Sequence, residues 1–159
     1  MTQNTSPLSV LLNVEASASV PRLSNAQMLD ATGNSAIREV DRKLKMIKLS
    51  ILMVRRSDFT YDRFIQYWRE VHAPLFAAQL ESKKYVRRYI QDHRTGDALP
   101  GTTSSNFDGV AEIWFDDISG AKAFFGSDGY QKNVIPDEEA FMDRKRCELL
   151  YTREYNVMA

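Results

Sequence analysis

Beyond residue 46 the apolar positions recur with two different periods, and the periods alternate along the chain. "MIKLSILMVRR" at 46–56 sets Lys48 and Ser50 among Ile, Leu, Met and Val, the pattern of a strand. In "SDFTYDRFIQYWREVH" at 57–72 the apolar positions move to Phe64, Tyr67, Trp68 and Val71, the i, i+3, i+4, i+7 rhythm of an amphipathic helix. Thr60 is placed to cap that helix, Phe59 and Phe64 flank the cap as a hydrophobic staple, and Asp62 complements the helix dipole. Pro74 biases Ala73 away from helical backbone, so the helix is expected to end or bend there.

"KKYVRRYIQDHR" at 83–94 predicts a second strand, with Tyr85, Arg87, Tyr89, Gln91 and His93 on one face and Val86, Arg88, Ile90 and Asp92 on the other. A turn-rich loop, "TGDALPGTTSSNFDG", leads to a third strand in "GVAEIWFD". "DISGAKAFFGS" repeats the earlier helix entrance, with Ile118 before Ser119 as cap, and "YQKNV" and "DEEAFMD" also read as helical. "CELLYTREY" supplies a last strand.

Strand, helix, strand, strand, helix, strand is the βαββαβ order of an α+β, ferredoxin-like fold. It predicts a four-stranded antiparallel sheet with both helices on one face. The second face then lacks cover, and strands as apolar as "ILMV" and "VAEIWF" call for a partner sheet, hence a homodimer. Residues 1–45, the first 34 of them rich in Ser, Thr, Asn and Ala, are expected to be a partly helical or flexible N-terminal extension to a domain at 46–159. Within the extension, Ser24 and Gly33 bracket one short helix and "AIREVDRKLK" at 36–45 forms another.

Charge narrows the partners. Lys and Arg number 21, Asp and Glu 21, so no net field recruits nucleic acid or an acidic membrane surface. The densest basic run, "KKYVRR", alternates as the exposed positions of a strand do. Cys147 is the single cysteine, which rules out an intrachain disulfide, favours a cytoplasmic setting and reads as a small core residue. No apolar run approaches the roughly 20 residues of a membrane helix, and "LSVLL" has no positive segment before it as a signal peptide would. The expected protein is soluble and intracellular.

The candidate chemistry centres on the two histidines. His72 continues the i, i+4 row of Phe64 and Trp68, so its ring should lean toward the buried face, where an imidazole can move protons near neutrality. The plainer alternative is a last-turn histidine interacting with free carbonyls. His93 shares a strand face with Tyr89 and Gln91; if helices cover that face, the three line a pocket, with Tyr89 a donor and His93 or His72 a proton shuttle. Asp92 projects away from His93. Glu112 needs a cationic partner, Lys48 or Arg88. Trp68 and Trp114 suit the core or the wall of a cavity for a flat apolar ligand. No Gly-rich phosphate loop and no metal-ligand spacing is present, so neither metal nor cofactor is expected.

"KLSILMVRRSDFTYDRFIQYWREVHAPLF", "YVRRYIQDH" and "FDGVAEIWFDDISGAKAFF", in that order, resemble the EthD family of dimeric α+β barrel proteins over about residues 46–154. The resemblance implies a ferredoxin-like monomer and a dimer whose sheets face each other, and a histidine in the "YWREVHAPL" motif. It further implies a small cofactor-independent enzyme acting on an aromatic, lactone or polyketide-like molecule by isomerisation, dehydration or cyclisation. His72, His93 and Tyr89 would then be catalytic, with Phe64, Trp68, Gln91 and Trp114 binding the substrate. Two alternatives stay open: an oxygenase, cofactor-free or haem-dependent, and a non-catalytic accessory protein that binds a hydrophobic metabolite for an oxygenase system.

Overall fold

The computed structural model describes residues 45–155 together with 37, 38, 40, 42, 157 and 158. The helix expected between Ser24 and Gly33 lies outside the described residues. Those described from 37 to 45 are helical, and Ile37 and Val40 are exposed there.

Strands β1 (Ile47–Met53), β2 (Val86–His93), β3 (Gly109–Phe115) and β4 (Glu148–Thr152) form one antiparallel sheet in the order β2-β3-β1-β4. Between β1 and β2 run α1 (Tyr61–Tyr67), a π-helical turn (Trp68–His72), α2 (Ala73–Ala78) and α3 (Leu80–Tyr85). Between β3 and β4 run α4 (Ile118–Phe125), a second π-helical turn (Tyr130–Val134) and α5 (Ile135–Phe141). This is the ferredoxin-like α+β architecture.

Period-two alternation decides which side chains meet the helices. Ile47, Leu49, Ile51 and Met53 of β1 and Ala111, Ile113 and Phe115 of β3 are buried on one face. Against them pack Phe64, Trp68, Phe124 and Phe141, each 0% exposed. Burial of an aromatic side chain of this kind contributes about 1.5–3 kcal/mol. Most of the apolar residues that pointed to a partner sheet therefore face the helices. The open face of β1 and β3 is mixed: Lys48 Nζ lies 2.7 Å from Glu112 Oε1, so Lys48, not Arg88, answers that charge. Leu52, Ile90, Val110 and Leu150 remain on this face, Leu150 well exposed.

Four local expectations change. Lys83, Lys84 and Tyr85 end α3 and are not strand residues. The β2–β3 register shifts between Val86 and Arg88, so Val86 joins the core while Arg87 turns outward to Asp116. The cap of α4 is Asp117, whose carboxylate accepts from the Gly120 N–H at 2.8 Å, and Ser119 falls inside the helix. The helix beginning at Thr60 does not end at Pro74: Ala73 N donates to Trp68 O across the wider π turn, and the chain stays helical to Ala78. A π turn suits this place because Pro74 has no N–H to continue the α pattern.

Candidate functional site

The π turn sends Trp68 and His72 into the space between helices and sheet. There a small enclosed cavity of about 20 Å³ is bounded by Trp68, His72, Phe76, Tyr89, Tyr130 and Glu138, with Ile51, Ala111 and Ile113 as its sheet floor. Its volume is that of a single water site. Two larger depressions open elsewhere, at one end of the sheet, but the enclosed cavity is the one that gathers His72 with other ionisable groups.

His72 is 5% exposed, and its Nδ1 lies 2.7 Å from Asp137 Oδ2. The other carboxylate oxygen accepts the Tyr67 hydroxyl at 2.7 Å. Burial opposes ionisation of Asp137, yet the hydrogen bonds from His72 and Tyr67 outweigh it and hold the carboxyl below its ordinary value. An ionised carboxylate only accepts, so His72 carries its proton on Nδ1 and leaves Nε2 as the basic nitrogen. Tyr67, held by burial and by Asp137, has its phenol pushed up to about 12 and stays a donor.

Glu138, the next residue, is also buried and reaches the cavity. The Tyr130 hydroxyl donates to it at 3.0 and 3.1 Å, and Arg144 Nε lies 3.1 Å from Oε2, near enough for an ion pair though off the hydrogen-bonding direction. Burial nevertheless dominates over Arg144 and raises the Glu138 carboxyl above its ordinary value. Neighbouring carboxyls are thus pushed apart, Asp137 toward the anion and Glu138 toward the acid.

From the sheet, β2 contributes a polar chain. Trp68 Nε1 donates to Tyr89 Oη at 2.8 Å and Gln91 Nε2 donates to the same oxygen at 3.2 Å, while also reaching Trp68 O at 3.0 Å. Both lone pairs of the phenol are engaged, which leaves its O–H to donate. Burial raises the Tyr89 phenol above its ordinary value against the pull of Gln91 and Trp68, so it keeps that proton. His93 Nε2 lies 3.3 Å from Gln91 Oε1, and its ring packs on Trp68 at 5.2 Å. Burial, then the charge of Arg69, lowers the His93 pKa and favours the neutral ring.

The structure therefore brings His72, Tyr89 and Trp68 to one cavity, with Gln91 behind Tyr89 and His93 at the edge, outside the lining. Phe64 is a core residue between Trp68 and Phe141 and does not reach the cavity. Trp114 stands on the opposite face of the sheet, with Lys48 and Arg88 over its ring at 5.4 and 4.7 Å. It is placed there because its strand neighbours Ile113 and Phe115 take the helix side. The sequence reading missed Asp137 and Glu138; the signal was a run of three acids in "PDEEAF", a segment whose apolar residues must be buried. Cys147 is buried just ahead of β4, its thiol pushed up to about 11 by burial. Among the described residues no cluster of three or more His, Cys, Asp or Glu could hold a metal ion, and no helix is long and apolar enough to cross a membrane.

The EthD domain model matches residues 56–145, which hold the first π turn, the cavity lining from Trp68 to Met142 and the Asp137–Glu138 pair. The chain belongs to the EthD family. A solved EthD family protein from Bacillus halodurans C-125 is 21% identical, covers 69% of this chain and 99% of its own, and superposes with a TM-score of 0.53. An EthD-like protein from Ralstonia eutropha JMP134 is 14% identical over 69% of this chain and 91% of its own, with a TM-score of 0.51. A hypothetical protein of Arabidopsis thaliana, at 9% identity, covers 72% of this chain and 93% of its own at a TM-score of 0.50. These three neighbours share the fold. No curated protein matches this chain.

Proposed function

We propose that this EthD protein is a small enzyme that works without a cofactor, moving protons on an aromatic, lactone or polyketide-like substrate held between sheet and helices. The observation that carries the reading is His72, held by Asp137 at 2.7 Å, lining one small cavity with Glu138 and Tyr89. In this scheme His72 Nε2 takes a proton from an activated C–H. The Tyr89 hydroxyl donates to the substrate oxygen on which negative charge develops, and Glu138, whose carboxyl burial shifts toward the acid, is placed to return a proton. Isomerisation, dehydration and cyclisation are all built from such transfers. A cavity of about 20 Å³ has no room for a ring, so substrate access requires the helices to move off the sheet around Phe76 and Tyr130.

The test is turnover of a panel of lactones and polyketide-like aromatics by the protein and by His72→Ala, with circular dichroism as the folding control. Loss of at least about a hundredfold is expected. Normal turnover in His72→Ala would remove His72 from the mechanism, and substrate-dependent oxygen uptake would move the assignment to an oxygenase. Ligand binding that yields no product and ignores the substitution would make the protein an accessory binder.

In the same reading the working unit is a homodimer of the domain at 46–159, with residues 1–45 as an extension. Leu52, Ile90, Val110 and Leu150 on the open sheet face support a second copy there. A monomeric mass by light scattering at micromolar concentration would contradict it.

A further inference from the structure

We propose that one end of the sheet carries a second site, a pocket for a phosphate dianion, built on Arg55, Arg94 and Arg146. The assignment does not rest on the proton-transfer reading, since no residue of the pocket lines the His72 cavity. A depression of about 310 Å³ opens where β1 and β2 end and β3 and β4 begin. Four arginines border it: Arg55, Arg56, Arg94 and Arg146. Asp108 is the one carboxylate in the lining and Val54 the one apolar side chain.

The charges do not cancel. Buried Asp108 serves two guanidinium groups, forming an ion pair with Arg55 Nη1 and lying 3.8 Å from Arg94 Nη2. Asp58 answers Arg56 at 2.9 Å. Arg146 is exposed, and among the described residues no ion pair reaches it. The four cations thus face two anions, an excess of two positive charges, which a phosphate dianion would neutralise and a single carboxylate would not.

Two of the three donors are also held in place. Arg55 is fixed by Asp108, which accepts from its backbone N–H at 2.9 Å, and by the Phe59 carbonyl, which accepts from Nε at 3.0 Å. The Arg94 guanidinium lies 5.3 Å from the Tyr61 ring centre. Such preorganised forks match phosphate oxygens and lose little freedom on binding. Asn106 and Ser57 add neutral donors, and with no aromatic wall the pocket recognises the phosphate group rather than a ring attached to it.

The experiment is amide NMR titration of the full chain, at low ionic strength, with inorganic phosphate, glycerol 3-phosphate and citrate in parallel. Saturable shifts confined to residues 54–57, 94, 105–108 and 146 are expected for phosphate. They should weaken about tenfold in Arg146→Gln, as loss of one charge-assisted contact implies, and fall with added salt. Equal affinity for the two phosphates assigns the phosphate group alone, and tighter glycerol 3-phosphate assigns a phosphomonoester. Absence of saturable shifts up to about 10 mM, ten times the concentration of a millimolar dissociation constant, overturns the site. So does tighter binding of citrate, or an Arg146→Gln protein, folded by the same spectra, that binds phosphate as the parent does.

Discussion

Asp137 Oδ2 lies 2.7 Å from His72 Nδ1, although 65 residues separate the two in the chain. The contact joins the first helical unit to the second and sets which imidazole nitrogen is basic. Asp137→Asn keeps the shape but loses the anion, so turnover should fall by about a hundredfold or more. Stability should show the same contact. The Asp137 carboxyl is held below its ordinary value, so its contribution is fully present above the unfolded pKa and is lost as pH falls through the lower folded one. Urea midpoints of parent and variant should accordingly differ at pH 7 and converge below about pH 4, the ordinary carboxylate range. A constant difference across that range would place the effect elsewhere.

Tyr89→Phe removes the acceptor shared by Trp68 Nε1 and Gln91 Nε2. Leaving the buried indole N–H without a partner should cost about 1–3 kcal/mol, measured as a shift in the urea midpoint. In the enzymatic reading the same variant should lower kcat more than it raises KM, because the lost donor acts on developing charge. A variant with parental stability would show that Trp68 finds another acceptor.

Gly109 pairs with His93 across the β2–β3 ladder, and a Cβ there would sit 2.6 Å from the Asp92 carbonyl oxygen and 3.0 Å from the Trp68 ring. The Asp92 backbone cannot yield without opening the ladder. Gly109→Ala is therefore expected to destabilise the fold by about 1–3 kcal/mol and to alter Trp68 fluorescence. An unchanged denaturation midpoint would mean that the strands separate more easily than this packing implies.

Cys147 is 1% exposed, with its thiol raised to about 11. A thiol reagent at pH 8 should label it only on unfolding, at a rate that follows urea concentration through the transition. Rapid labelling of the native protein would contradict that burial.

Much of the fold was legible because its signals are local. Thr60 accepts from the Arg63 N–H at 3.2 Å as an N-cap should, and β1 and β3 follow the alternation of their apolar residues. The face shared by Tyr89, Gln91 and His93 could also be read, since all three lie on the core side of the bulge that flips Val86. Alternation alone could not say which face of β3 receives Trp114, because both of its faces carry large apolar side chains.

The order of elements, the inward lean of His72 and the EthD motif were determined by the sequence itself. Periodicity and capping depend on neighbours within a few positions. Only the tertiary structure decided that Asp137 engages His72, that Glu138 is buried beside it, that Trp114 faces away, and that the cavity holds about 20 Å³. Each of these depends on how two helical units and a bulged strand settle against one another. That arrangement is set by the summed packing of distant side chains, and no short window of sequence contains it.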